Sequence, residues 1–243
     1  MNYDEPTARY YAAYRPPLHG QLLEHCLHGR YASGLDVGCG TGHSARALRR
    51  FCDRVTGTDP SAAMLELAPK SPGIDYRLQR GRRLDFPDKS FDVVTFAGSL
   101  CYAKSQLLLD EITRVGRPGA TVVVYDFTAP LHDYCHELLG IAVADRKDDG
   151  YDPAVTFSGL EESAIRKISS QTATLNVRVD AAELASLFLS EAALRPVLDA
   201  RFGAAELPES LAQALSERLD EGASGRDLEF TTYTTVYHVL RRG

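Results

Sequence analysis

The chain has 243 residues, 44% of them hydrophobic and 25% charged, with a net charge of −6. That is ordinary globular composition, and a chain of this size buries roughly three quarters of its unfolded surface without staples. The charge is uneven, with 16 Lys/Arg against 13 Asp/Glu in residues 1–120 and 11 against 20 in residues 121–243. Neither half carries the basic stripe of a nucleic-acid binder, and no apolar run reaches transmembrane length. Five cysteines, odd in number and without a CxxC pair, fit reduced thiols. The expectation is a soluble, cytoplasmic protein that binds neither nucleic acid nor membrane, a monomer or homodimer.

Leu18, Leu22, Cys26 and Leu27 recur at helical spacing and predict a helix over 18–28. An apolar strand ends at Val37 and runs into a glycine loop, followed by a helix over 44–52. A second strand covers 54–58 and closes on Asp59-Pro60, with Pro60 in the first turn of a helix that Pro69 ends. Strands follow at 74–78 and 91–97, the latter a nearly continuous apolar run of the kind a parallel sheet buries on both faces. Ser105 caps a helix carrying Leu108, Leu109 and Ile112; Pro118-Gly119 is a turn, and 121–127 is a fifth strand. Helical spacing returns over 131–143, a charged loop covers 145–153, and 172–179 alternates like a half-exposed strand. Asp180 and Glu183 have capping-box spacing at the head of a helix carrying Leu184, Leu187 and Phe188. The threonine-rich strand 230–240 has no helix leading into a parallel partner, so it is read as antiparallel at the sheet edge.

Strands alternating with helices predict an α/β fold: a Rossmann-like, doubly wound, mainly parallel seven-stranded sheet with an antiparallel edge strand and an N-terminal helical lid. A single domain over 1–243 is expected, with 1–30 as lid, 31–127 as ligand-binding core and 128–243 as substrate-lid helices and edge strands.

The most informative stretch is Leu35-Asp36-Val37-Gly38-Cys39-Gly40-Thr41-Gly42. Three glycines on alternate residues let backbone lie bare against a ligand, and a helix begins just beyond. The NAD fingerprint needs a third glycine where His43 stands, and no Gly-Lys-Ser/Thr of a P-loop follows. Asp36 would repel a pyrophosphate and suits a cationic amine. Asp59 lies 21 residues after Gly38 at the end of the second strand, where a carboxylate meets ribose hydroxyls or, as the plain alternative, caps the next helix.

The loop LDVGCGTG resembles the first motif of class I S-adenosylmethionine (SAM)-dependent methyltransferases. Leu84-Asp85-Phe86-Pro87-Asp88-Lys89-Ser90-Phe91-Asp92 is similar to the approach to the fourth strand in the branch containing ubiquinone/menaquinone and trans-aconitate enzymes. Arg114-Val115-Gly116-Arg117-Pro118-Gly119-Ala120 resembles that branch's "RvLrPGG" turn, and Tyr11-Ala12-Ala13-Tyr14-Arg15-Pro16 its opening segment. The resemblance covers residues 9–127 in four motifs in order. It implies SAM as cofactor, S-adenosylhomocysteine (SAH) as product, and a contact set of Tyr11, Tyr14, Arg15, Asp36, Gly38, Cys39, Gly40, Gly42, Asp59, Pro60, Met64, Arg82, Leu84 and Ser99. There are departures: the family's adenine-contacting acidic residue falls at Arg80, Gly116 stands where leucine is usual, and Ala120 where a second glycine is usual. Adenine recognition then rests on amides near 81–84 and on stacking by Met64 or Leu84.

Methyl transfer from a sulfonium is an in-line displacement that needs alignment above all, and a base where the nucleophile carries a proton. Base candidates are Tyr102 after the fourth strand, Asp126 ending the fifth, His132 and His136. The two histidines have i, i+4 metal-ligand spacing without a third ligand, so no metal is expected. Tyr134, Tyr151 and Phe157 in the region after the fifth strand suggest a partly apolar small-molecule acceptor. The alternatives are a non-catalytic SAM- or SAH-binding protein and, further off, an NAD-dependent oxidoreductase.

Overall fold

The computed structural model describes residues 14–81, 83–142, 150–203, 207–219 and 225–240. Tyr11 and Arg82, and most of the charged loop at 145–153, lie outside the described residues. Seven strands form one sheet in the order β3-β2-β1-β4-β5-β7-β6. They are β1 (Tyr31–Val37), β2 (Cys52–Asp59), β3 (Ile74–Leu78), β4 (Phe91–Ala97), β5 (Gly116–Thr128), β6 (Ile165–Val179) and β7 (Arg226–Val239). The first five pair in parallel. β7 lies between β5 and β6, and the sheet is mixed, with an antiparallel strand at this edge. Bonds between Ser170 and Thr235 hydroxyls (2.9 Å) and from Thr232 Oγ1 to the Ala173 carbonyl (3.0 Å) run in antiparallel register.

The chain groups into two compact units. The larger holds residues 17–127, 151–173 and 232–243. Its helices are α1 (Leu18–Cys26), α2 (His43–Leu48), α3 (Ala62–Glu66), α4 (Leu100–Ala103) and α5 (Gln106–Val115). Leu35, Val37, Val94, Phe96, Val122 and Val124 from three adjacent strands pack against Leu108, Leu109, Ile112 and Val115 of α5 and against Phe157 and Tyr237. Parallel strands covered by helices require apolar side chains over long runs, hence FDVVTFA and TVVVYDF. Ser105 caps α5 by accepting from the Leu108 amide (3.3 Å).

The smaller unit holds residues 1–16, 128–150 and 174–231. It contains α6 (Leu131–Leu139), α7 (Ala181–Ser190), α8 (Arg195–Phe202) and α9 (Leu207–Ser216), with Leu184, Leu187, Phe188, Leu198, Leu211 and Leu215 buried. The capping box forms: Asp180 accepts from the Glu183 amide (2.8 Å), and the Glu183 carboxylate from the Asp180 amide (2.9 Å).

Several bounds differ from the sequence reading. The helix expected over 44–52 ends at Leu48, and Cys52 already opens β2, paired with Tyr31. Pro60 precedes its helix: Ser61 is the N-cap, accepting from the Met64 amide (3.3 Å), and α3 starts at Ala62. The turn at Pro118-Gly119 is an excursion inside β5, where Phe91 pairs with Gly116 and Val93 already with Thr121. Gly119 takes φ +85° to make it. The helix expected over 131–143 stops at Leu139, where Gly140 caps it in the left-handed conformation. β6 and β7 begin earlier than expected, at Ile165 and Arg226, and α4, α8 and α9 carried no signal that was read. Among the described residues no helix is long and apolar enough to cross a membrane.

Candidate functional site

The order of the parallel strands changes direction between β1 and β4, and ligands of such sheets bind at the carboxyl ends beside that switch. The glycine loop leaves β1 there. Gly38, Gly40 and Gly42 all have positive φ (73°, 52° and 84°), which L side chains rarely adopt. Contacts reinforce the constraint at two of them: a Cβ on Gly38 would stand 2.4 Å from that of Ser99, and one on Gly42 2.3 Å from the Tyr76 hydroxyl oxygen. Ser99, just beyond β4, donates its hydroxyl to the Val37 carbonyl and fastens the loop to β4.

The loop amides are largely committed within the protein. Gly38 and Cys39 N–H both donate to the Thr58 carbonyl (2.7 and 2.9 Å), Gly42 N–H to the Cys39 carbonyl (2.9 Å), and Gly40 N–H to Asp59 Oδ2 (2.9 Å). Such a loop is rigid but is no open nest for a diphosphate, whose site would leave these donors to the ligand. Asp59 closes the arrangement, its Oδ1 accepting from Ser61 N–H (2.9 Å). It is 8% exposed, and burial pushes its carboxyl above the ordinary range despite both amides. Since Ser61 caps α3, Asp59 is free of the capping role and stands beside Gly40 at the strand tip.

Asp36 lies beneath the loop, fully buried, accepting from the Ser44 hydroxyl (2.5 Å) and the Thr95 hydroxyl (2.8 Å). Burial outweighs those bonds and raises its carboxyl to about 6. The Cys39 thiol is likewise pushed up by burial and by Asp36 and Asp59, so it stays protonated. Met64 packs toward the loop, its methyl 3.4 Å from where a Cβ on Gly40 would stand. Leu84 stands apart: its side chain belongs to the core, its amide donates to Glu111 (2.8 Å) and its carbonyl accepts from Arg114 (2.8 Å). It offers a ligand neither an apolar face nor an amide. Arg80 is exposed.

At the carboxyl ends of β4 and β5, Asp126 accepts from the Tyr151 hydroxyl and, through Oδ1, from the Phe127 amide (2.8 Å). The Tyr102 ring lies 5.7 Å from that of Tyr151. His132 and His136 sit on α6 in the smaller unit. Among the described residues no three His, Cys, Asp or Glu are grouped to hold a metal. Tyr134 is engaged within that unit: Arg226 lies 5.2 Å over its ring, and its hydroxyl accepts from the Glu229 amide (3.0 Å). Tyr14 is also in this unit; burial and the nearby Glu183 and Asp180 raise its hydroxyl to about 12.

Two residues near the loop were missed. The Thr41 hydroxyl is buried with no partner among the described residues, and so is that of Tyr76. An unpaired buried hydroxyl costs about 1–3 kcal/mol, which a bound polar ligand recovers. A sequence signal existed for Tyr76: Gly57, in mid-strand opposite it, leaves room for its ring, with a Cβ there only 3.0 Å away. The site therefore fits a small, hydrogen-bonding ligand lacking a diphosphate: bare backbone at Gly40, a carboxylate at the strand tip, and a buried hydroxyl in the loop.

Residues 35–124 match the model of the methyltransferase domain family. The chain is 41% identical over 101 residues to a demethylmenaquinone methyltransferase of Tropheryma whipplei (strain Twist), a match covering 40% of this chain and 42% of the relative. A second relative is the ubiquinone/menaquinone biosynthesis C-methyltransferase UbiE of Desulfotalea psychrophila, 38% identical over 102 residues, covering 40% and 42% of the two chains. The chain thus spans less than half the length of these relatives. Among solved structures, a protein of Anaeromyxobacter dehalogenans assigned as a type II methyltransferase superposes with a TM-score of 0.61 at 21% identity, covering 94% of this chain and all of that one. The [4+2]-cyclase SpnF superposes with a TM-score of 0.53 at 19% identity, covering 93% and 82%. These two likenesses concern the fold.

Proposed function

We propose that the protein transfers a methyl group from SAM to a small-molecule acceptor. The observation that carries this reading is the tie between Asp59 and the Gly40 amide, which holds a carboxylate beside bare backbone at the β1–β4 switch. When bound, SAM supplies a methyl group on a positively charged sulfur, ready for in-line attack. Asp59 would take the ribose hydroxyls, Gly38–Gly42 would lie along the ligand, and the Thr41 hydroxyl would find its missing partner there. The Asp36 charge beneath the loop favours a cation over a diphosphate. Met64, beside Gly40, supplies an apolar surface for the adenine.

Asp126 and Tyr102 border the same strand ends and are base candidates; His132 is a third. Tyr11, Tyr14, Arg15, Pro60 and Arg82 remain cofactor contacts that the family resemblance implies. The names of the quinone-methylating relatives support a small acceptor. The acidic second half of the chain and the lack of a basic stripe argue against nucleic acid.

Because a cyclase shares the fold, the cofactor is the first thing to test. Calorimetric titration of the purified protein with SAH, with NADH in parallel, should give micromolar binding of SAH and none of NADH. The reverse result would return the chain to the oxidoreductases. Silence with both, after checking that no SAH co-purified, would refute the cradle.

A further inference from the structure

We propose that Tyr151 and Asp126 form a proton-accepting pair in the acceptor pocket, and that the acceptor is a small molecule with an acidic O–H of the phenol or enol type. The inference rests on the methyl-transfer reading above. Tyr151 belongs to the larger unit, as do Asp126, Tyr102 and the glycine loop. Its hydroxyl donates to Asp126 Oδ2, and the carboxylate's other oxygen is held by the Phe127 amide at 2.8 Å. The carboxylate is therefore fixed in orientation and bonded to the hydroxyl of a half-buried tyrosine.

Three further features set this pair beside the glycine loop and an exposed aromatic ring. Gly98, with φ +68°, follows β4 beside Asp126; a Cβ there would lie 3.1 Å from Asp126 Oδ1, so glycine leaves room for the carboxylate at the strand end. The next residue is Ser99, whose Cβ abuts Gly38, so one dipeptide touches both the loop and the pair. Tyr102 is 49% exposed and its ring lies 5.7 Å from that of Tyr151, tilted by 34°. Two aromatic faces beside a hydroxyl–carboxylate relay suit a flat, conjugated ring bearing an O–H. A free amine needs no such relay once it is neutral, and a simple alcohol is too weak an acid for a carboxylate to deprotonate.

In the step, the acceptor O–H passes its proton to the Tyr151 oxygen as Tyr151 passes its own to Asp126. The acceptor oxygen pair forms the new O–CH3 bond. The carbon–sulfur bond of the methylsulfonium donor breaks, and its electron pair stays on sulfur. One proton remains on Asp126, to be lost to solvent after product leaves.

The probe is 4-nitrophenol, whose phenolate absorbs in the visible, titrated against the protein with SAH present at a pH where the free phenol is mostly protonated. Binding to the wild-type protein should raise the phenolate band. The rise should fall at least tenfold in Asp126→Asn and clearly in Tyr151→Phe, which keeps the ring. Calorimetry with SAH on the same samples reports separately on the cofactor reading. SAH binding with no phenolate band, or with one unchanged in both variants, overturns the pair. A band that depends on both residues in a protein deaf to SAH supports the pair and sinks the cofactor assignment.

Discussion

In the proposed reading, Asp59 is one side chain that serves structure and ligand together. Its two oxygens each hold one backbone amide, Gly40 and Ser61, and each keeps a lone pair for a ligand. Asp59→Ala should weaken SAH binding by about 1.5–3 kcal/mol, the usual worth of hydrogen bonds to a charged group. Asp59→Asn should lose less, since its amide carbonyl still accepts from one of the two N–H groups. Equal affinity in all three proteins by calorimetry would reduce Asp59 to a loop brace. Asp36 offers a test with the opposite sign from most carboxylates. Its carboxyl is raised to about 6 from an unfolded value of 3.8, so the folded protein holds a proton that the unfolded chain releases. The stabilising effect is complete below the unfolded value and is lost as pH rises through about 6. Relative to Asp36→Asn, the wild-type protein should therefore lose stability between about pH 4 and pH 6, by on the order of 3 kcal/mol. Asp92 and Glu111, whose carboxyls are lowered by Arg117 and Arg114, give the reverse slope in both proteins and cancel in the difference. Urea denaturation of the two proteins across that range measures it.

At the scale of elements, the motifs that were legible turn out to be clamps as well as sites. Arg114 of α5 donates to the Phe86 and Leu84 carbonyls (2.7 and 2.8 Å), to Asp88 (2.8 Å) and to Glu111 (2.7 Å), so one guanidinium pins the LDFPD stretch against its helix. Arg117 does the same for Asp92, and the Asp92 carboxylate in turn accepts from Ser33 at the start of β1. Two motifs some thirty residues apart therefore occur together because they are bonded. Arg114→Met should cost about 2–4 kcal/mol by stranding Glu111 and two carbonyls, and Arg114→Lys should recover little, because an ammonium cannot span four acceptors. Chemical denaturation reads both. What stayed illegible had weaker local signatures. β6 is exposed along most of its length, and Ser169-Ser170-Gln171-Thr172 shows no apolar alternation; it is a strand because β7 pairs with it. α8 and α9 carry prolines, Pro196 and Pro208, in their first turns, which interrupt the pattern at its start even though Leu207, Leu211 and Leu215 of α9 recur at helical spacing. Tyr151 was read as a lid aromatic because its partner Asp126 lies 25 residues earlier in the sequence, on the other side of α6, and no local spacing links the two. The Leu84 reading failed differently: its motif was right, but the neighbouring Arg114 and Glu111 consume its polar groups.

For the whole molecule, the strand order β3-β2-β1-β4-β5 gathers the tips of β1, β2, β4 and β5 along one edge. The glycine loop, Asp59, Ser99 and Asp126 come from four different strand ends, and only the folded sheet brings them together. A ligand that touches several of these tips binds the native sheet and finds nothing comparable in the unfolded chain. It should then stabilise by mass action, about 2.7 kcal/mol at a concentration one hundred times its dissociation constant. For a domain of this size each kcal/mol moves the midpoint by about 2–4 °C, so saturating SAH should raise the thermal transition by about 5–10 °C. NADH at the same concentration should leave it in place, because the loop amides that would meet its phosphates are already bonded to Thr58, Asp59 and Cys39. In Asp59→Ala the SAH shift should shrink, while in Arg114→Met the baseline transition should fall and the shift should survive. Scanning calorimetry on the three proteins separates a residue that holds the ligand from one that holds the sheet. A shift lost equally in both variants would mean that the LDFPD clamp and the Asp59 carboxylate belong to one cooperative site.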